Sequence, residues 1–222
     1  MATPALHDMK LVGSTSSAGG QFRNIKITGD CAMSSDVTAD SFHLTGEVAV
    51  QGQLSVQLLK MTGQCRVSGA IRADRIQGVG ELSAESIRGG QVKLSGHIRT
   101  EHSCEAETLK LLGWIEVGEL INAESLTLDL HGRCRAQEIG GGTIIVKRSS
   151  LTKISNLFSM KEPGTLKAEL IEGDVVHLEH VTADIVRGAR VTLGPGCKIG
   201  RVEYREALER HPKSEIGTEV RI

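Results

Sequence analysis

Glycine recurs along this chain at a fixed interval: Gly29, Gly46, Gly63 and Gly80 are 17 residues apart, and Gly96 and Gly113 follow after 16 and 17. Four and two residues before each glycine stand Ile25/Ile27, Phe42/Leu44, Leu59/Met61, Ile76/Gly78, Val92/Leu94 and Leu109/Leu111. Two and four residues after it stand Cys31/Met33, Val48/Val50, Cys65/Val67, Leu82/Ala84, Ile98/Thr100 and Ile115/Val117. Only a strand points alternate side chains to one face, so apolar residues at every second position around a repeating glycine predict strands. Each repeat reads as one turn of a coil, and stacked turns share one continuous core.

Regular coils are expected over 24–40, 41–57, 58–74, 75–90, 91–107 and 108–124. Ten positions after the glycine a small or branched residue is often followed by an acid, as in Ala39-Asp40, Ala73-Asp74, Ala106-Glu107 and Ala123-Glu124. A small side chain fits inside a tight bend while an acid faces water, so these dipeptides mark a corner. A 17-residue turn at about 3.3 Å per residue has a perimeter near ~56 Å, which suits three short sides. The predicted fold is an all-β, triangular parallel β-solenoid.

Around that repeat, residues 1–21 are rich in Ser, Gly, Ala and Thr and read as a flexible tail. A seventh coil, 125–142, carries inserted residues, and the repeat lapses over 143–165, where Leu151, Ile154, Leu157 and Phe158 fall at helical spacing and predict a short helix or flap. The pattern returns over 166–204, with Ala183-Asp184 read as closing a coil in the same way. Residues 205–222 read either as a cap or as a last strand.

Stacking also aligns outward residues into columns. Three positions before the glycine the column is Lys26, His43, Lys60, Gln77, Lys93, Lys110; eleven after it stand Asp40, Gln57, Asp74, Gln91, Glu107, Glu124. These are either solvated rims or complementary columns that set coils side by side or meet acidic lipid head groups.

The formal net charge is -1 with both signs interspersed, which gives no long-range steering toward nucleic acid. One Trp, one Tyr and three Phe leave few rings on which sugars or unpaired bases could stack. No apolar run approaches the roughly 20 residues needed to cross a bilayer, and the first 13 residues lack a secretory pattern, so a cytoplasmic protein is expected. Cys31 and Cys65 fall two coils apart, about 9.6 Å, beyond the roughly 7 Å limit for a disulfide. With Cys134 they read as small buried apolar residues.

Motifs for chemistry are sparse. Gly194 to Gly200 reads as a tight corner rather than a phosphate cradle. His177 and Glu179 share a strand face while His180 points away, so no metal set forms, and Cys197 reads as a core thiol without an accompanying base. The 17-residue period does not match the hexapeptide rhythm of coil-shaped acyltransferases, and the long side loops of pectin-cleaving coils are missing before residue 143. No catalytic residue, cofactor or metal is expected.

The 17-residue coils from Phe22 to Gly142, with the closing stretch Gly-Asp-Val-Val-His-Leu-Glu (173–179) and Ala183 through Tyr204, resemble the bactofilins, the polymer-forming bacterial cytoskeletal family, in the longer form found in Gram-positive relatives. The resemblance implies a right-handed β-helix, assembly end to end into filaments without nucleotide, contact with the inner membrane face through the N-terminus, and a scaffold role in cell shape or motility. It implies as partners the chain itself or a sister bactofilin, and no small-molecule substrate. The open ends of the core are expected at Phe22, Ile25 and Ile27, and at Val191, Leu193, Ile199, Val202 and Tyr204. A membrane contact is expected at Leu6, Met9, Leu11 and Val12. The alternative is a monomeric binding module that presents the basic column or the 143–165 flap to a partner.

Overall fold

A computed structural model describes residues 6–148 and 164–222. The chain divides into two units, Met1–Glu101 and His102–Ile222. Both are parallel β-solenoids, and the described residues contain no helix.

The first unit holds β1 (Met9–Val12), β2 (Thr15–Ser17), β3 (Gly20–Met33), β4 (Val37–Val50), β5 (Leu54–Val67), β6 (Ile71–Ala84) and β7 (Ile87–Thr100). Each of β3 to β7 is nearly a whole coil, and these five strands pair in register with one another in chain order. β4 shows why three sides form. Its buried residues come in pairs two apart, Val37/Ala39, Phe42/Leu44 and Val48/Val50, the first two separated by a corner where the alternation slips and the last two by Gly46. The pairs stack on like pairs, so Ile25, Phe42, Leu59, Ile76 and Val92 make one apolar column.

The repeating glycine is itself a corner. Gly29, Gly46, Gly63, Gly80 and Gly96 have φ of 114°, 124°, 124°, 133° and 140°, a region that L side chains rarely adopt. Each carbonyl of this column also occupies the space where the next glycine's Cβ would stand, so that a Cβ on Gly46 would lie within 2.2 Å of Gly29 O. Backbone sign and close approach both demand glycine once per coil.

The expected flexible tail is corrected from residue 9 onward. β1 pairs Met9 with Ile25 and Leu11 with Ile27, β2 pairs Thr15 with Cys31 and Ser17 with Met33, and Gly20 and Gln21 open β3. Gln91 also moves. The coil 16 residues long loses its residue at the corner near Glu85, which brings Gln91 beside Arg75 and out of the acidic column.

The second unit holds β8 (Cys104–Val117), β9 (Leu120–Leu130), β10 (Arg133–Arg135), β11 (Glu138–Arg148), β12 (Thr165–Leu178), β13 (Val181–Leu193), β14 (Lys198–Arg210) and β15 (Glu215–Arg221). Residues 143–148, expected to be irregular, continue β11 with Ile144 and Val146 buried over Leu126 and Leu128. The chain then re-enters the stack with Leu166 on Cys134 of β10. The helix expected around Leu151 to Phe158 lies outside the described residues. Residues 205–210 continue β14 and Glu215–Arg221 form β15, so the last strand of the two readings is present.

Ala183-Asp184 does not continue the earlier Ala-acid column. The partners of Ala106 run through Ala123, Gly141 and Gly173 to Gly188, whereas Ala183 pairs with Ala168. Any corner wants a small residue inside and an acid outside, so the same dipeptide serves two corners.

Candidate functional site

The residues expected to line open ends are interior. Phe22, Ile25 and Ile27 are 5%, 1% and 1% exposed because β1 and the segment before it lie over them, with the His7 ring edge-on to Phe22 at 5.2 Å between centroids. Val191, Leu193, Ile199 and Val202 are equally enclosed, and Tyr204 is half-buried. A further layer lies over them in each unit, β1 and β2 on β3 in the first and β15 on β14 in the second.

These two layers differ in chemistry. At the first, Met9 and Leu11 continue the apolar columns of Ile25 and Ile27, and Thr15 and Ser17 cover Cys31 and Met33 with small polar groups. All four are half-exposed. Of the residues expected to touch a membrane, Met9 and Leu11 are therefore core cover, whereas Leu6 and Val12 are 40% and 65% exposed. At the other layer Ile216 continues the column of Ile199, but Glu219 stands on Val202 and Arg221 on Tyr204. The Tyr204 hydroxyl donates to Glu219 at 3.1 Å, and that bond raises its pKa above the ordinary phenol value. Charges in an inward column blunt a sheet edge against further pairing.

The basic column keeps its expected register within the first unit. Lys10, Lys26, His43, Lys60, Gln77 and Lys93 stand one above another, and Lys10 extends the column by a coil that sequence reading missed. In the second unit the partners of Lys110 are Thr127, Ile145, His177, Thr192 and Glu209, so the column loses its basic character.

The second unit carries a groove of about 390 Å³ floored by Gly140, Gly141, Gly173 and Gly188, where the inward Ala column becomes glycine. Several of its charges are matched to one another. Arg187 donates to Glu172 at 2.8 Å and to Glu203 at 2.7 Å, and Arg205 donates to Asp174 at 3.0 Å. The bond from Arg187 is the main reason that the Glu203 carboxyl is held below its usual range. Arg187 thus makes a cross-coil brace that links three successive layers.

The cysteines are core residues, as their spacing implied. All five are buried and free, burial pushes the Cys65 and Cys104 thiols up to about 12, and the Cys197 thiol donates to Leu178 O at 3.2 Å. His177 Nε2 lies 3.8 Å from Glu179 Oε1, which makes a half-buried pair. Among the described residues no three His, Cys, Asp or Glu side chains converge as a metal would require. Gly194 to Gly196 form the turn between β13 and β14, against His180, which takes φ 56°. No helix among the described residues is long and apolar enough to cross a membrane.

No family model matches the chain, and no solved structure matches it. Two proteins of Bacillus subtilis (strain 168) are similar to parts of it. One, carrying the name uncharacterized protein YhbF, is 46% identical over 98 residues, which cover 44% of this chain and 39% of that protein. The other, uncharacterized protein YhbE, is 35% identical over 109 residues, 48% of this chain and 45% of that protein. The chain spans less than half the length of the curated relatives it matches.

Proposed function

We propose that the protein is a non-catalytic structural scaffold that self-assembles through its terminal layers without nucleotide, in the manner of the bactofilins, in support of cell shape or motility machinery. The observation that carries this reading is the first terminal layer. β1 and β2 pair, among the described residues, with β3 alone, and Met9 and Leu11 leave the apolar columns half-open. An unpaired parallel edge over an uncovered core is a template for another copy. Like-with-like contact there makes a closed dimer, and growth into filaments requires the β15 layer as well. Glu219 and Arg221 oppose that second contact, so the dimer forms first and longer assemblies need higher concentration. Five free, buried thiols fit a reducing compartment such as the cytoplasm.

The test is a pair of edge variants followed by sedimentation velocity and electron microscopy. Leu11→Asp places a charge in the exposed layer and is expected to dissolve assemblies while the β-rich spectrum is retained. Glu219→Val is expected to lengthen them. Unchanged size in both variants would refute assembly through these layers. The unpaired lysine column favours a second reading, a monomeric module that presents this column to a partner, and a monomer at all concentrations in the parent protein would move that reading to first place.

A further inference from the structure

One side of the first unit combines three properties. Its central column carries Lys10, Lys26, Lys60 and Lys93, all exposed, and neither these nor the adjacent Arg75 makes an ion pair among the described residues. The column one pleat toward the glycine corner carries Val12, Thr28, Thr45, Thr62, Val79 and Ser95, of which Val12 and Val79 are 65% and 57% exposed. The lone acid beside them, Asp8, is already held by Arg23 and Asn24, at 2.9 Å each. The remaining acids belong elsewhere. Asp40 and Asp74 stand at the corner beyond Arg75, while Asp30, Glu47 and Glu81 follow the glycine corner onto the next side.

We propose that this side of the first unit is a docking surface for an anionic lipid bilayer, with the lysine column meeting head groups and Val12 and Val79 entering the interface between them. The face is a stack of in-register strands at about 4.8 Å per coil, so five steps from Lys10 to Lys93 spread the charge over about 24 Å. An extended array of basic side chains interrupted by short apolar ones matches a charged interface whose anions are mobile and adjust to it. A nucleic acid strand would want rings to stack on, and the first unit's two phenylalanines, Phe22 and Phe42, are both buried. The contact differs from an N-terminal anchor. Met9 and Leu11 are turned into the core, and the strands present the lysines. The inference does not depend on whether chains associate through their ends.

The experiment is flotation of the full chain with vesicles of phosphatidylcholine containing phosphatidylglycerol at increasing fraction, compared with phosphatidylcholine alone. The expected result is partition that rises with the anionic fraction, falls with salt, and drops roughly fivefold for each lysine removed, since a basic side chain at such a surface contributes about 1 kcal/mol. The triple variant Lys26→Gln, Lys60→Gln, Lys93→Gln should thus lose on the order of 100-fold, with its circular dichroism unchanged because all three side chains are exposed. Lys110→Gln, Lys167→Gln and Lys198→Gln together should leave partition intact. Val79→Ser should weaken binding to anionic vesicles without changing its salt dependence. No partition onto anionic vesicles, equal loss in the two triple variants, or retention by a duplex oligonucleotide without vesicle binding would each overturn the proposal.

Discussion

Replacing Gly63 by alanine tests whether the once-per-coil glycine is required by space as well as by backbone sign. A Cβ there would stand 2.0 Å from the carbonyl oxygen of Gly46 and 2.9 Å from its carbon. Both atoms are backbone, fixed by the ladder between β4 and β5, so relief requires the two coils to part at that corner. The unfavourable φ of 124° costs about 1–3 kcal/mol, and a displaced ladder hydrogen bond adds about 1 kcal/mol. A total near ~3 kcal/mol is a large fraction of a domain's stability. Gly13→Ala is the matched control, since its φ is 87° but nothing lies within 4 Å of the added Cβ. It should show the backbone penalty alone, about 1–2 kcal/mol. Urea unfolding followed by far-ultraviolet circular dichroism reads both, and a loss in Gly63→Ala no greater than in Gly13→Ala would refute the steric argument.

Two further outcomes are expected. Phe22→Arg and Val191→Arg should break the fold and not merely its assembly, because both side chains are enclosed; loss of the Phe22 ring alone is expected to cost about 3–5 kcal/mol, and a variant that keeps the parent melting temperature would contradict its burial. Glu203→Gln should lower the melting temperature of the second unit at neutral pH. Because the native carboxyl titrates below the ordinary glutamate value, the parent's advantage is complete above that value, shrinks as pH falls past it, and disappears once the native carboxyl is protonated; an advantage that grows toward acid would contradict the brace with Arg187.

The coils and the lysine column were readable from sequence because both depend only on the repeat. A residue three before each glycine falls in one column whatever the details of the corners. The first terminal layer was hidden by its composition, since Thr15, Ser16 and Ser17 carry no apolar alternation. One signal was nonetheless present: Gly13 lies 16 residues before Gly29, with Met9 and Leu11 at the same offsets as Ile25 and Ile27. Missing that layer made Phe22, Ile25 and Ile27 look like an open end. At the other terminus a last strand was one of two open readings, and its register was not legible: Glu219 and Arg221 fall on Val202 and Tyr204, so the alternation of Ile216, Val220 and Ile222 does not mark the inward columns.

The misplacement of Gln91 shows the limit of counting from glycines alone. A 16-residue coil omits one residue, and the count does not say which corner omits it; the pairing of Ile71 with Ile87 places the loss just before β7. Strand β11 was lost for the opposite reason. Ile144 and Val146 alternate correctly, but the interruption that follows Arg148 separates them from the Leu166 segment that completes their coil. The brace around Arg187 was invisible in sequence because Glu172, Arg187 and Glu203 come from three different coils whose lengths are unequal.

The central claim is that the layer formed by β1 and β2 is an open end through which chains join. Sedimentation velocity of the untagged protein over a wide concentration range, without nucleotide and at low and high salt, tests it most directly. The account predicts an average mass that rises with concentration from a dimer and persists at high salt, since the contact is made by backbone pairing and by Met9 and Leu11. A single monomeric species at every concentration would contradict it.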